Sequence, residues 1–283
     1  MNSNLKNNLN KDLLVACIFG DKFSKLYPAQ DNYRCVLFSN NLKLKKEALK
    51  KGWEFEFVDK FELSKDHLLS SLQSKYIKFL QFLDDFPGYK KYRSITYIDH
   101  TIKITKEESK RLKGLFHRNK KIFMISSRKG HLATETLDKA SRSHQRYRNS
   151  YRKTKDWIIN YQLSKNNPGK PQEFATGFIM YKDFKHLLPF LKNVYETIWK
   201  LRQPHCQSIW AVLVQSHMDD LQDIYWSDTS MKKRTPLPLD QDIKRFMREN
   251  LRSMGKPTLE FFGIDYERFR KKYLLKLFGA GIR

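Results

Sequence analysis

The sequence predicts an α/β fold, a mostly parallel sheet flanked by helices, and three observations carry that prediction. Residues 13–19 and 35–38 are short apolar runs of the kind buried on both faces of a parallel sheet. Such runs alternate along the chain with segments of helical composition, as at 42–51 and 64–83. Each run also stops on turn-forming residues: Gly20-Asp21 after the first, Ser39-Asn40-Asn41 after the second.

Composition sets the outer limits. At 283 residues the chain has room for one large domain with an appendix, expected as an α/β domain over 11–230 and a basic helical C-terminal extension over 231–283. Hydrophobic residues make up 40% and aromatic residues 14%, which excludes a disordered chain despite the high charge. No run approaches the roughly 20 apolar residues that span a bilayer, and the polar, Asn-rich start has no signal-peptide core, so a cytoplasmic location is expected. Cys17, Cys35 and Cys206 fit no zinc spacing and read as buried free thiols. The net charge of +25 calls for an anionic partner, but does not choose among nucleic acid, an anionic membrane surface and a phosphate-bearing substrate.

Taken in order, residues 13–19 form the first strand, interior to the sheet. Gly20 lets the chain turn tightly and approach a ligand, with Asp21 facing the same crevice; an ordinary strand-to-loop turn is the alternative. Residues 35–38 and 53–58 are the next strands, with a helix between them stopped by Gly52. Residues 64–83 read as one amphipathic helix, in which Lys75 and Lys78 lie three apart, near one face. These cations are placed either to reach a diphosphate or to stay in water. The strand 95–98 then stops abruptly at Asp99, and Ile102 and Ile104 resume the apolar alternation after His100-Thr101. A carboxylate thus sits at a strand's end, where ligands bind in open α/β sheets.

Residues 121–126 form another buried strand, followed by a loop carrying Arg128 and His131. The basic helical stretch 135–161 mixes Arg142, Arg146 and Arg148 with Tyr147 and Tyr151, which suits stacking on bases, a phosphate-rich acceptor or a membrane face. Gly177, inside the strand 173–181, marks a bulge or a close backbone approach, expected to be toward an acceptor sugar. Pro204-His205-Cys206-Gln207 opens an apolar helix and projects Gln207 toward the site. His217, one turn beyond, is a metal candidate or a structural residue. The basic, aromatic tail fits either a membrane interface or a helix packed on the domain.

Residues 15–21, 35–40, Gly52-Trp53, residues 74–78 and Tyr97-Ile98-Asp99 together resemble the succession found in a family of polysaccharide glycosyltransferases with a GT-A-like (Rossmann-like) nucleotide-sugar-binding fold. The resemblance runs more loosely through residues 177–180 to Gln207-Ser208. It implies an enzyme that moves a sugar from a nucleotide-sugar donor to a glycan or phospholipid-linked glycan acceptor in cell-surface polysaccharide biosynthesis, such as lipopolysaccharide or capsule. It also implies a divalent cation, manganese or magnesium, on the donor diphosphate, with Asp99 as its ligand.

Thr101 stands where a second carboxylate is often found, which leaves three alternatives for the metal: weaker binding, a water in place of the missing ligand, or no metal. Cys206 stands where relatives carry an acid, which leaves the catalytic base open. The expected metal set is Asp99, Thr101 and His217; the expected cofactor-binding set is Gly20, Asp21, Lys75, Lys78, Arg128, Gly177 and Gln207. Asp99, Glu135 and His131 are the expected catalytic residues, with Glu173 and Asp183 as further candidates for a base. The tail adds a peripheral position on the cytoplasmic face of the inner membrane. Two rival classes stand beside this reading. A nucleic-acid-binding protein would explain the charge, although no known fingerprint is present; an inactive transferase-like scaffold would explain Thr101.

Overall fold

The apolar runs assemble into one seven-stranded sheet in the computed structural model, which describes residues 12–21, 26–126, 132–143, 145–164 and 171–233. In chain order the strands are β1 (Asp12–Cys17), β2 (Arg34–Ser39), β3 (Glu54–Phe57), β4 (Ser94–Ile98), β5 (Ile102–Lys103), β6 (Ile122–Ser126), β7 (Ala175–Lys182), β8 (Leu221–Tyr225) and β9 (Lys232–Lys233). The main sheet runs β3-β2-β1-β4-β7-β6-β8, while β5 and β9 pair separately. All neighbours in it are parallel except β7, which is antiparallel to both β4 and β6. This is the mostly parallel, helix-flanked sheet expected, with one strand reversed.

Successive side chains of a strand point to opposite faces, and both faces here are covered. Leu13, Val15 and Cys17 enter one apolar cluster, shared with Phe38, Ile95 and Tyr97. Leu14, Ala16 and Ile18 enter the other, shared with Leu37, Ile98 and Phe178. That is why β1 reads as an unbroken apolar run. The edge strand β3 is half-exposed and carries Glu54, ion-paired to Arg34 at 2.6 Å; a charge there discourages pairing with another chain.

The helices are α1 (Lys45–Lys50), α2 (His67–Gln73), α3 (Lys75–Lys78), α4 (Phe82–Asp85), α5 (Lys106–Leu115), α6 (Ala133–Ser143), α7 (Gln145–Arg148), α8 (Tyr151–Ser164), α9 (Leu188–Leu201) and α10 (Cys206–Leu213). The single helix expected over 64–83 is three pieces. Asp66 caps α2 by accepting the Leu68 amide at 2.8 Å, and the chain breaks after α3, where Leu80 adopts a left-handed conformation with φ of 57°. Packing overrides helical propensity at this point. The break lets Phe79 stack on Trp210, with centroids 5.6 Å apart, while Phe82 meets Phe38 at 4.7 Å. Each such fully buried ring stabilises the fold by roughly 1.5–3 kcal/mol.

One compact unit runs through Lys233. It includes β9, whose backbone pairs antiparallel with β5, and Met231 just before it is buried. The remainder of the expected extension, 234–283, lies outside the described residues, as does any membrane role assigned to it. Among the described residues no helix is long and apolar enough to cross a membrane.

Gly20 is a packing residue at the end of β1. Its φ is +91°, and an added Cβ would lie 2.3 Å from the Ser70 hydroxyl and 3.0 Å from the Ser64 carbonyl. Its amide donates to Asn40 Oδ1 at 2.9 Å, and its carbonyl accepts from Asn41 Nδ2 at 3.1 Å, which ties the ends of β1 and β2 together. Gly20→Ala should therefore cost about 1–3 kcal/mol in denaturant unfolding, combining left-handed strain with steric displacement. Gly88→Ala, where a Cβ meets nothing within 4 Å, should stay within about 0.5 kcal/mol of the parent.

Candidate functional site

The carboxyl ends of β1 and β4 open into a cleft of about 590 Å³, and Asp99, the residue after β4, lines it. Tyr97 and Asp99 are two apart on an extended segment and so share a face. The Tyr97 hydroxyl donates to Asp99 Oδ1 at 2.6 Å, and Lys78 Nζ lies 3.3 Å from the same oxygen. The Lys78 ammonium also sits 4.8 Å from the centre of the Tyr97 ring, in cation–π contact. Its backbone is fixed as well, because the Tyr181 hydroxyl of β7 donates to the Lys78 carbonyl at 3.0 Å.

The side chain of Lys78 is 4% exposed and that of Asp99 is 36% exposed, so a sheltered cation holds a carboxylate that still reaches the cleft. Burial opposes ionisation of Asp99, but Lys78, the Tyr97 hydroxyl and Lys75 outweigh it and hold the carboxyl below the usual aspartate range. Burial likewise opposes the charge on Lys78, and Asp99 with the nearby thiols Cys206 and Cys17 reverses that, leaving its pKa raised. For Lys75 burial wins: together with the neighbouring Lys78 ammonium it lowers the pKa against the pull of Cys206, Asp99 and Cys17. Cys206 reports the same field, because burial raises a thiol, yet Lys75 and Lys78 together with Thr176, 3.2 Å from its sulfur, pull it below its ordinary value.

Of the residues expected at the site, Asp99, Thr101, Lys75, Lys78, Gly177 and Gln207 all line this cleft. Gly177 does mark a close approach, but the group that approaches is internal. An added Cβ would stand 2.8 Å from Ile102 Cδ1 and 3.0 Å from Asp99 Oδ2, and the Asp99 amide donates to the Gly177 carbonyl at 2.8 Å. Glycine here makes room for the carboxylate, in place of the acceptor sugar expected.

Other expected residues go elsewhere. Asp21 is exposed, its amide bonded to Ser64, and neither it nor Gly20 lines the cleft. Glu135 is exposed in the first turn of α6, where it accepts the Leu132 amide at 3.5 Å. Glu173 accepts from Thr136 at 2.7 Å and does not line the cleft. Asp183 and His217 lie at the opposite edge of the sheet. The Asp183 amide bonds Arg93, just before β4, and His217 pairs with Asp220, just before β8, at 3.3 Å while its ring packs on Phe190 at 4.3 Å. Arg128 and His131 lie outside the described residues.

The expected metal set does not converge. His217 is at the wrong edge, and among the described residues no group of three His, Cys, Asp or Glu side chains is arranged to hold a metal. Asp99 is the one carboxylate among the described residues that line the cleft, and its Oδ1 already faces an ammonium. The residues present do not fit the divalent cation that the resemblance implies.

Reasoning from sequence missed several lining residues. Tyr97 was detectable by its two-residue spacing from Asp99. Arg146 and Tyr147, expected to suit bases, a phosphate-rich acceptor or a membrane face but not placed at the Asp99 site, line the cleft; Arg146 lies over the Tyr147 ring at 4.7 Å, and Tyr147 packs edge-on to His205 at 5.2 Å. Nearby, Tyr151 donates to Asp138 at 2.5 Å. The tyrosines Tyr147 and Tyr151 are thus partly spent inside the fold, while Arg142, Arg146 and Arg148 stay exposed.

No family model matches the sequence, and no curated protein matches it. Among solved structures, the chain is similar to mouse xyloside xylosyltransferase 1 in its apo form, at 10% identity over 75% of this chain and 85% of that one, with a TM-score of 0.42. It is similar to a mannosyltransferase from S. cerevisiae at 12% identity over 79% and 70%, with a TM-score of 0.44. A glycosyltransferase involved in glycosylation of the major capsid of PBCV-1 gives 11% identity over 76% and 81%, with a TM-score of 0.36.

Because the Asp99 pKa is lowered, the pair stabilises the fold above the ordinary aspartate pKa and that contribution fades as pH falls through the lowered value. At neutral pH, Lys78→Met should cost about 1–3 kcal/mol in denaturant unfolding, since it leaves the partly buried carboxylate without its cation. The Lys78→Met/Asp99→Asn double variant should recover part of that loss. A strictly additive double variant would mean that the two groups are not coupled.

Proposed function

We propose that this chain is a glycosyltransferase that moves a sugar from a nucleotide-sugar donor to a glycan or lipid-linked glycan acceptor. The single observation that carries the reading is Asp99. A carboxylate at the carboxyl end of an interior strand, held by Lys78 and Tyr97, opens onto a roomy polar cleft beside a second buried lysine. Such a cleft suits a ligand that is both anionic and rich in hydroxyls. The cations face the diphosphate, and the exposed edge of Asp99 accepts a sugar hydroxyl.

Beside the cleft, a smaller cavity of about 140 Å³ shares Asp99, His100 and Ile102 with it and is otherwise lined largely by apolar and aromatic groups, including Ala16, Tyr27 and Trp53. A flat nucleobase suits that lining, which would set the donor's diphosphate next to Asp99. Trp226 also lines the cleft, an aromatic side chain of the kind that packs against an acceptor sugar ring.

In the transfer, the bond between the sugar's anomeric carbon and the diphosphate oxygen breaks, and its electron pair leaves with the nucleoside diphosphate. The acceptor's hydroxyl oxygen forms the new bond and releases its proton to solvent or a base. The cluster of positive charge stabilises the leaving group as its charge grows. A role in cell-surface polysaccharide synthesis, on an anionic acceptor held near the cytoplasmic membrane face, fits the +25 charge.

The test is a screen of UDP-, GDP- and CMP-linked sugars for thermal stabilisation of the full chain, followed by an assay of donor turnover. At least one donor should raise the melting temperature by mass action. Asp99→Asn should lower turnover about 100-fold or more while the protein stays folded. Full turnover by that variant, or no stabilisation by any donor, would refute the assignment.

A further inference from the structure

We propose that the cleft receives the donor's diphosphate directly on the ammonium groups of Lys75 and Lys78, with no divalent cation between protein and phosphates. The inference rests on the reading of the cleft as a nucleotide-sugar site and specifies how that site handles charge.

Two side chains carry it. Lys75 is 7% exposed and Lys78 3% exposed, and both line the cleft. A buried ammonium is costly unless a countercharge accompanies it. Lys78 has one in Asp99. Lys75 takes part in no ion pair among the described residues, and its Nζ donates to the Ser74 hydroxyl at 3.4 Å, a long bond. A sheltered cation facing a cleft without a carboxylate of its own is a built receptor for an anion that arrives from outside.

The two lysines are also placed to act together. They stand three residues apart on α3, so their side chains leave the helix on neighbouring faces, and the Tyr181 bond to the Lys78 carbonyl fixes that turn against the sheet. An ammonium has three hydrogens. Lys78 directs one to Asp99 and rests over the Tyr97 ring, leaving capacity for a phosphate oxygen, while Lys75 supplies a second cation. Arg146, on the rim, is a third.

The same residues argue against a metal bridge. Two residues after Asp99 stands Thr101, a neutral hydroxyl where a hard cation would want a charged oxygen. One of the two Asp99 oxygens, Oδ1, is already taken up by Lys78 and the Tyr97 hydroxyl. Among the described residues that line the cleft, three Lys or Arg cations face one carboxylate, a balance that attracts a diphosphate and repels a divalent cation.

The experiment titrates UDP, GDP and CDP into the full chain by calorimetry, once with EDTA and once with manganese. At least one nucleoside diphosphate should bind in EDTA, with affinity changed less than about threefold by manganese. Manganese alone should give no heat that Asp99→Asn abolishes. In EDTA, Lys75→Met should weaken binding by about tenfold or more and Lys75→Arg by much less. Lys75→Met replaces a buried charge by an apolar chain of similar length, so it should also remain folded, checked by its melting curve. Should it unfold, Lys75→Arg and the manganese comparison still decide the matter.

Binding that appears only with manganese, or unchanged affinity in Lys75→Met, would overturn this inference and leave the transferase reading standing. No binding of any nucleoside diphosphate in either condition would overturn both.

Discussion

The organising interaction of this protein is the contact between Lys78 and Asp99 across the mouth of the sheet. A lysine almost wholly withdrawn from water survives there because a carboxylate lies 3.3 Å away and an aromatic ring lies beneath it. Asp99 in turn holds its position because Tyr97 donates to it and Gly177 leaves it space. Each partner's burial would be unfavourable alone. Together they fix a charged pair where the carboxyl ends of β1 and β4 open into the cleft.

The rest of the architecture serves that placement. β4 brings Tyr97 and Asp99 to the carboxyl edge, and β7, reversed against it, presents Gly177 at that edge and Tyr181 deeper in the sheet. Breaking the chain at Leu80 ends α3 directly after Lys78 and lets Phe79 and Phe82 enter the core separately. The start of α10 closes another side of the cleft. There the Ser208 hydroxyl donates to the Ala133 carbonyl, which ties α10 to α6, and the His205 ring lies 3.0 Å from that hydroxyl.

Charge then gives the cleft its character. Lys75, Lys78 and Arg146 converge there from α3 and α7, and the lowered pKa of the Cys206 thiol registers the positive field in a place where burial alone would raise it. The aromatic and basic stretch that suited bases, a phosphate-rich acceptor or a membrane face alike contributes Arg146 and Tyr147 to this wall. Tyr151 turns inward to Asp138. High net charge is therefore only partly a surface property of this chain; some of it is concentrated at the cleft beside Asp99.

Sequence alone determined most of the strand positions, because runs such as Leu13–Phe19 must be buried on both faces, but not β8 or β9, which are half-exposed or only two residues long and show no such run. It also located Asp99, because an apolar run stopped there on a carboxylate. It also singled out Lys75 and Lys78, whose spacing is a local property of a helix. What it left open depended on partners far along the chain. The reversal of β7 follows from pairings with β4 and β6, the break at Leu80 from contacts with Phe38 and Trp210, and the removal of His217 and Asp183 to the far edge from strand direction. Periodicity records which face of an element is apolar, whereas the identity of the element packed against that face is a long-range contact, and only the tertiary structure decides it.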